Sequence, residues 1–243
     1  MSLNKRWTRE EAAERFGDSE NELHRIALQF NSTKITDPEC SHYCDFYVQH
    51  FKDRKNDNLK ILEIGVKEGD SLLMWKEYFP NSSIVGLELN PEPLKNFSHD
   101  RVKIYFGDQT NRELLEEICQ NEGPFDIIID DASHINEHHQ ISFTYLFEKG
   151  LSADGIYVIE DLGTSYWSPW GGGLNKKDAT IEFMKNLVDS VNFRFHKGER
   201  DAYVGIPKIN ESDLTYFDLN ITGISFHKGM CFVQKGINPV DIE

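Results

Sequence analysis

The sequence predicts an α/β fold with a mostly parallel sheet, an antiparallel last strand and a segment of helices at the N-terminus. Three observations support this prediction. From residue 58 onward, short apolar runs alternate with helical stretches, which is typical of a parallel sheet. Five of these runs each end in a carboxylate. The stretch ISFHKGMCFVQKG looks like two strands joined at Lys228-Gly229, an antiparallel pair that closes the sheet.

Residues 1–55 are expected to form a cap over the sheet or a contact between subunits, and residues 7–52 of this segment read as helices. Thr8 and Glu11 make a capping-box pattern that opens the first helix. A second helix is expected at about 20–30 and a third at about 41–52, with a polar loop at 31–39. Self-association through these helices is possible from the sequence but is not required by it.

Residues 56–243 contain the strands and helices of the sheet, and short continuous apolar strands fit a sheet that is covered on both faces. In chain order the predicted elements are the strand LKILEIG, the helix SLLMWKEYF, the strand SSIVGLEL, a helix at PEPLKNF, the strand VKIYFGD, the helix NRELLEEICQ, the strand FDIIID, a helix at about 136–148 and the strand GIYVIED.

Composition excludes several classes of protein. The chain has 243 residues, a formal charge of −15 and 39% hydrophobic residues, which suits one sizeable domain with an added element. An acidic chain with scattered basic residues does not suit nucleic-acid binding. No apolar run approaches the ~20 residues of a membrane helix. Four cysteines without a framework spacing fit a reducing cytoplasm.

The strand ends carry the strongest functional signal. Ligands of such sheets bind at the carboxyl ends of the strands. The acids found there are Glu63, Glu88, Asp108, the pair Asp130-Asp131 and the pair Glu160-Asp161. Some of these acids could simply cap helices, but five strand ends in register make that explanation weak. Carboxylates that converge at one edge of the sheet require a cation to balance their charge. Oxygen ligands without a nearby cysteine favour Mg²⁺ or Ca²⁺.

The turn after the first strand predicts the type of nucleotide. It has two glycines, Gly65 and Gly69, with an acid before the first, instead of the G-x-G-x-x-G pattern that binds a pyrophosphate. Glu88 is placed to accept from ribose hydroxyls, and Asp108 from an adenine amine. Acids at the carboxyl ends of the strands repel phosphate and favour a cationic ligand. S-adenosylmethionine (SAM), which carries a sulfonium and an ammonium, fits this set.

The motifs ILEIGVKEG, GLELNP, FGD and FDIIID resemble those of class I SAM-dependent methyltransferases over about residues 58–235. The resemblance implies a Rossmann-like sheet. The cofactor-binding residues that we assign on this basis are Glu63, Gly65, Gly69, Ser71, Glu88, Asp108 and Asp130.

A narrower resemblance is carried by IIDDASHINEHH and GIYVIEDLGTSYWSPWGGG, which look like the macrolide-sugar O-methyltransferases. It implies that Asp131, Glu160 and Asp161 hold Mg²⁺ and that His134 is the general base, with Asp131 also counted in the catalytic set. The expected reaction is methylation of a sugar hydroxyl. The acceptor would be a glycosylated natural product, a surface-polysaccharide precursor or a sugar nucleotide.

Histidines and aromatic residues near these motifs are candidates for substrate contact. His138 lies one helical turn beyond His134 and is the second candidate base, whereas a structural role is expected for His139. Tyr166, Trp167 and Trp170 could cover the apolar face of a sugar ring, or pack as an ordinary aromatic loop.

The sequence leaves several alternatives open. In the N-terminal part, NSTKI stands where the family carries a Gly-Thr-Asp-Lys-Gly segment, so contacts cannot be carried over from there. The polar segment 198–220 could be a second substrate loop or plain surface. Three alternative functions remain. The chain could resemble the cephalosporin-hydroxylase-type proteins, which share this pattern. It could also be an NAD-type oxidoreductase, or a non-catalytic partner protein with the same fold.

Overall fold

The computed structural model of the chain describes residues 6–197 and 209–239. The strands in these ranges are β1 (Lys60–Ile64), β2 (Ser83–Glu88), β3 (Val102–Phe106), β4 (Phe125–Asp130), β5 (Leu151–Ile159), β6 (Ile221–His227) and β7 (Met230–Lys235). They form one sheet of seven strands in the order β3-β2-β1-β4-β5-β7-β6. The first five strands are parallel, and β7 pairs antiparallel with both β5 and β6. The predicted Rossmann-like fold class is confirmed.

The described helices are α1 (Arg9–Phe16), α2 (Glu22–Gln29), α3 (Thr33–Thr36), α4 (Tyr43–Phe51), α5 (Asp70–Tyr78), α6 (Arg112–Glu122), α7 (Asn136–Lys149), α8 (Thr180–Val191), α9 (Phe193–His196) and α10 (Tyr216–Asn220). Short 3₁₀ turns lie at Lys52–Arg54, Glu92–Leu94, Leu162–Tyr166, Ser168–Trp170 and Glu211–Asp213. Thr8 and Glu11 form the predicted capping box at the start of α1. Within the described ranges, none of the helices combines the length and apolar character that a membrane span requires.

The sheet is buried on both faces because adjacent residues of a strand point to opposite sides. In β1, Ile61 belongs to the core on one face, together with Ile127 of β4, and Leu62 belongs to the core on the other face, together with Ile128. All four side chains are fully buried. This explains why the strands read as continuous apolar runs.

The N-terminal helices belong to one of these two cores. Leu23 of α2 and Tyr47 and Phe51 of α4 pack in the same cluster as Trp75 of α5 and Phe232 of β7. The rings of Tyr47 and Trp75 meet edge to face with centroids 4.8 Å apart. The helical segment therefore covers a face of the sheet, and a division at residues 55 and 56 stays a prediction.

Three elements differ from expectation. PEPLKNF forms only the 3₁₀ turn Glu92–Leu94, because proline at two of its first three positions removes backbone donors. The loop expected at 31–39 contains the short helix α3. Helix α8 was not predicted, although Ile181, Met184 and Leu187 are buried along it. Of the polar segment 198–220, residues 198–208 lie outside the described ranges.

Candidate active site

The loop between β1 and α5 passes very close to the loop that follows β4. Gly65 has a φ of +85°, and a Cβ atom there would lie 2.3 Å from the carbonyl oxygen of Asp131. Glycine is the residue that tolerates both this backbone and this approach. Gly69, with a φ of +84°, immediately precedes α5. The two glycines thus let the first turn close against the carboxyl ends of β1 and β4.

A cavity of about 320 Å³, here called the β2 cavity, opens beside this turn. It is lined by Ile64, Gly65, Leu87, Glu88, Leu89, Gly107, Asp108, Gln109, Ala132, Ser133, Ile135 and His138. Three of the predicted cofactor residues, Gly65, Glu88 and Asp108, are in this lining. Its apolar side chains provide nonpolar surface, and its two acids lie at the ends of β2 and β3.

The two acids of the β2 cavity are held by hydrogen bonds. Glu88 Oε2 accepts from the backbone amides of Val66 at 3.1 Å and Lys67 at 2.8 Å, so this acid also orders the first turn. Asp108 Oδ1 accepts from the backbone amide and the hydroxyl of Thr110, both at 2.8 Å. These hydrogen bonds lower the pKa of Asp108, which keeps its carboxylate ionised.

Asp130 lies below the β2 cavity and is fully buried. Its carboxylate accepts from Ser142 Oγ at 2.7 Å, Tyr157 Oη at 3.1 Å and Gln109 Nε2 at 3.1 Å. Gln109 stands between Asp130 and the cavity, and its Oε1 accepts from the amide of Ser133 at 3.0 Å. The structure therefore gives Asp130 a set of protein partners, and its role toward a cofactor stays a prediction.

A second cavity of about 310 Å³, here called the mouth, lies on the other side of the first turn. Its lining is mostly polar and consists of Arg6, Thr33, Lys34, Asp37, Cys40, Gly65, Val66, Lys67, Asp70, Ser71, Glu88, Asp131, Ala132, His134, Glu160 and Asp161. Gly65 and Glu88 border both cavities. A ligand that spans the first turn would therefore reach both cavities.

Asp131, His134 and Asp161 come together at the mouth. One oxygen or nitrogen ligand atom of each lies within 4.8 Å of the others, and all three side chains are half-buried. His134 Nε2 is 3.5 Å from Asp161 Oδ2. His134 and Asp161 have φ angles of +57° and +52°, which are uncommon for residues other than glycine. Among the described residues, His134 Nδ1 is buried without a hydrogen-bond partner.

Glu160 and Glu63 face a buried lysine instead. The Nζ atom of Lys34, which is 1% exposed, lies 2.7 Å from Glu160 Oε1, 2.7 Å from Asp131 Oδ2 and 3.3 Å from Glu63 Oε1. Burial alone would lower the pKa of Lys34, but the carboxylates of Asp131, Glu160 and Glu63 outweigh it and raise that pKa well above its usual value. Glu63 also accepts from Ser71 Oγ at 2.7 Å.

Further side chains of the N-terminal helices reach the acids of the mouth. Tyr43 Oη donates to Asp161 Oδ1 at 2.8 Å, and Tyr47 Oη donates to Glu160 Oε1. Burial raises the pKa of the Glu160 carboxyl well above its usual value, and the nearby Asp131 raises it further. The donors from Lys34 and Tyr47 oppose this shift, since they favour the charged carboxylate.

His138 and His139 lie away from the mouth. His138 lines the β2 cavity, and its Nδ1 is 3.0 Å from Ser133 Oγ. His139 is fully buried with its Nε2 3.8 Å from Asp130 Oδ1, and burial lowers the pKa of its imidazole. His134 is thus the histidine of this helix start that faces the mouth acids.

The aromatic loop after β5 is largely exposed. Tyr166 and Trp167 are 47% and 54% exposed, and the rings of Trp167 and Trp170 meet edge to face with centroids 5.5 Å apart. Asn136 Nδ2 donates to the carbonyl of Trp170 at 2.8 Å, which ties this loop to the start of α7. Exposed rings fit a contact with substrate better than packing in the core, but their role stays a prediction.

Four site residues were missed by sequence reasoning: Lys34, Tyr43, Tyr47 and Gln109. Lys34 had a signal, because the segment NSTKI retains the lysine of the family's Gly-Thr-Asp-Lys-Gly pattern. Tyr43 had a weaker signal, because Ser41-His42-Tyr43 partly matches a His-x-Tyr segment that the family carries in this region. Tyr47 and Gln109 carry no comparable signal, since their roles depend on long-range contacts.

The chain is similar in sequence to proteins of known activity. No family model matches it. It is 35% identical over 202 residues to mycinamicin VI 2''-O-methyltransferase of Micromonospora griseorubida, a match that covers 79% of this chain and 47% of the relative. It is also 35% identical over 202 residues to demethylmacrocin O-methyltransferase of Streptomyces fradiae, covering 79% of this chain and 48% of the relative. The chain spans about half the length of these curated relatives.

Solved structures agree with this similarity. MycE methyltransferase from the mycinamycin biosynthetic pathway, in complex with Mg, SAH and mycinamycin VI, is 29% identical to this chain with a TM-score of 0.74. The match covers 94% of this chain and 63% of that one. The sequence identities show that the chain belongs to the family of the mycinamicin and macrocin sugar O-methyltransferases, which confirms the resemblance seen in its motifs.

Proposed function

We propose that this chain, which is related to the mycinamicin and macrocin sugar O-methyltransferases, is a SAM-dependent, Mg²⁺-assisted O-methyltransferase that acts on a sugar hydroxyl of a glycosylated natural product. The observation that carries the proposal is the placement of His134 beside Asp131 and Asp161 at the mouth. This group adjoins the turn at Gly65, which also borders the β2 cavity. An acceptor and a nucleoside could therefore meet at this turn.

The β2 cavity fits the nucleoside part of SAM. Its volume of about 320 Å³ lies at the low end of the range for small-molecule sites. Glu88 and Asp108 supply acceptors for ribose hydroxyls and an adenine amine, and Leu87 and Leu89 supply apolar surface. When bound, SAM supplies an electrophilic methyl group. The acids of the neighbouring mouth favour its cationic charge.

The donor set at the mouth fits a hard divalent cation. Asp131 and Asp161 offer carboxylate oxygens near one another and remain partly accessible, as Mg²⁺ requires. Glu160, the third predicted ligand, is adjacent but bonded to Lys34 through Oε1. When bound, Mg²⁺ supplies polarisation of a sugar hydroxyl, which lowers the pKa of that hydroxyl.

His134 is the general base in this proposal. It would accept the proton of the sugar hydroxyl as the oxygen bonds to the methyl carbon, while the bond between that carbon and sulfur breaks and S-adenosylhomocysteine leaves. Asp161, 3.5 Å from Nε2, stabilises the imidazolium that results. The uncommon backbone of His134 and Asp161 orients both side chains toward the mouth.

The substrate class follows from the relatives and from the aromatic loop. Tyr166, Trp167 and Trp170 offer rings that could cover the apolar face of a sugar. A glycosylated macrolide is the acceptor of first choice. The four cysteines are all free, which supports a reducing, cytoplasmic location.

The test is calorimetric titration of S-adenosylhomocysteine (SAH), with and without Mg²⁺, into wild type, Glu88→Ala and Glu68→Ala. Glu68 is an exposed acid of the same turn that does not line either cavity, so its variant is a control for loss of charge. We expect micromolar binding in wild type and Glu68→Ala and at least tenfold weaker binding, about 1.4 kcal/mol, in Glu88→Ala.

Two outcomes would reject the proposal. Absence of SAH binding in wild type would reject the methyltransferase class, and titration of NADH would then test the oxidoreductase alternative. Binding of SAH without methyl transfer to any glycosylated macrolide or sugar nucleotide would favour a non-catalytic protein. The named activities of the relatives favour the methyltransferase over both alternatives.

A further inference from the structure

Lys34 is an unusual feature of the mouth because its ammonium is buried among acids from three strands. Asp131 follows β4, Glu160 follows β5, and Glu63 lies in β1. Asp131 is 97 residues from Lys34 in the sequence, and Glu160 is 126 residues from it. Burying an ammonium is costly unless carboxylates pair with it, so this arrangement depends on all of these groups together.

The contacts of Lys34 use one defined oxygen of each acid. Lys34 bonds to Asp131 through Oδ2 and to Glu160 through Oε1. Tyr47 donates to the same Glu160 oxygen. Each carboxylate is therefore anchored through one oxygen, while Asp131 also belongs to the group of close ligand atoms that it forms with His134 and Asp161.

We propose that Lys34 is a positioning residue of the metal site, which fixes the carboxylate of Asp131 so that it converges with Asp161 on a divalent cation, and which holds Glu160 beside them. This inference rests on the proposed function and deepens it. Groups that hydrogen-bond to metal ligands, and so fix their orientation, commonly control affinity for the metal. Lys34 belongs to α3, so the N-terminal helices supply a working part of the site.

A purely structural role is the competing explanation. Lys34 could serve only to balance the charge of buried acids and to fasten α3 to the sheet. Both roles predict a loss of stability when the lysine is removed. They differ in what happens to metal affinity once stability and charge have been restored.

The experiment titrates Mn²⁺ alone, followed by electron paramagnetic resonance, into wild type and Lys34→Met. Removal of a group that orients metal ligands is expected to weaken Mn²⁺ binding by about 10–100-fold. Lys235→Met is the matched control. Lys235 is a second buried lysine, 6% exposed, whose Nζ donates to backbone carbonyls of Phe147 and Leu151. Its variant is expected to lose stability but to keep the Mn²⁺ affinity of wild type.

The double variant Lys34→Met/Glu63→Gln keeps the test valid if the single variant does not fold. It removes one positive and one negative charge, and Glu63 is outside the proposed ligand set. We expect its melting temperature to recover toward wild type while its Mn²⁺ affinity stays at least tenfold weaker. Recovery of both quantities would show that Lys34 only balances charge.

The outcomes separate this inference from the function on which it rests. Wild-type Mn²⁺ affinity in folded Lys34→Met, or an equal loss in Lys235→Met, would overturn the positioning role and leave the proposed function standing. A wild-type protein that binds no Mn²⁺ at millimolar concentration would overturn the metal step of the proposed function and the inference with it.

Discussion

At the scale of single residues, the site depends on two residues whose backbone conformation is uncommon. His134 and Asp161 have left-handed φ angles of +57° and +52°. Such a conformation costs about 1–3 kcal/mol per residue and persists where surrounding contacts impose it. Tyr43 holds the Asp161 carboxylate at 2.8 Å, and the carbonyl of Asp161 accepts from Thr164. Two of the strained backbone positions of the described residues therefore lie where the chemistry is proposed.

His134→Gln tests whether this histidine is the base or a metal ligand. We expect methyl transfer to fall by about 10²–10⁴-fold, the usual loss when a general base is removed. Binding of SAH and Mn²⁺ should stay within about threefold of wild type, a change below 1 kcal/mol. Single-turnover assays and calorimetry measure the two quantities. A tenfold or larger loss of Mn²⁺ affinity would make His134 a ligand instead.

His138→Ala tests the second histidine of the motif, which lines the β2 cavity and is paired with Ser133. We expect SAH binding to weaken by about 2–10-fold, because one hydrogen-bonding group of about 0.5–1.5 kcal/mol is lost from the cavity wall. The exposed His196, hydrogen-bonded to the carbonyl of Asp189, gives a control variant without effect. If His138→Ala bound SAH normally but did not transfer the methyl group, His138 would again be a candidate for the general base.

At the scale of elements, the close contact between the loops after β1 and β4 organises both cavities. Gly65 lies in one loop and packs against the backbone of Asp131 and Ala132 in the other. The contact fixes Asp131 relative to Glu63 and Glu88. The wall of the β2 cavity and the proposed metal ligands are thereby coupled through backbone, which is stiffer than side chains.

Gly65→Ala should damage both cavities at once. A Cβ atom would lie 2.3 Å from Asp131 O and would require a strained φ of +85°, so we expect a loss of about 2–4 kcal/mol in the free energy of unfolding and weaker binding of SAH and Mn²⁺. Gly163→Ala is the control, since a Cβ there meets no atom within 4 Å. Urea unfolding measures both variants, and equal stability of the two would contradict the argument.

Lys235 predicts a dependence of stability on pH. Burial lowers the pKa of Lys235 to about 8, whereas an unfolded lysine titrates near ~10.4. Between these two pKa values Lys235 is protonated more often in the unfolded chain than in the folded protein, so the free energy of unfolding rises with pH. Well below pH 8 Lys235 is protonated in both states, and the folded protein carries the full cost of the buried charge. We expect wild type to gain on the order of 1–2 kcal/mol relative to Lys235→Met from about pH 7.5 to 9.5. Urea unfolding at both pH values measures this difference, and parallel profiles would contradict the assignment.

The sequence predicted the strands and their terminal acids because both are local patterns. Apolar runs identify buried strands, and in a parallel sheet the residue after each run must lie at the same edge. The partners of those acids were not predictable, since Lys34 reaches Glu160 across 126 residues. Helix α8 was missed because its apolar face follows a loop of exposed polar residues. The turn at Pro91 and Pro93 was read as a helix from its flanking residues alone.

At the scale of the whole molecule, the N-terminal helices and the sheet form one core. Leu23, Ile35, Tyr47 and Phe51 are buried against the face that contains Ile61. The same helices carry Lys34 and the tyrosines that bond the acids of the mouth. Stability and the proposed chemistry therefore depend on the same contact surface, and the helices do more than cover a completed site.

A fragment of residues 56–243 tests this dependence. Without the preceding helices, the sheet face around Ile61 and Phe232 would be exposed. Each large apolar side chain that loses its burial costs about 1.5–3 kcal/mol, so a handful of such losses is comparable to the 5–15 kcal/mol that stabilises a typical domain. We expect the fragment to lack a cooperative thermal transition and a near-ultraviolet circular dichroism spectrum, and to bind neither SAH nor Mn²⁺. A cooperatively folding fragment that binds SAH would establish the boundary at residues 55 and 56 as a true domain division. Its Mn²⁺ affinity would then measure how much of the metal site is built without Lys34.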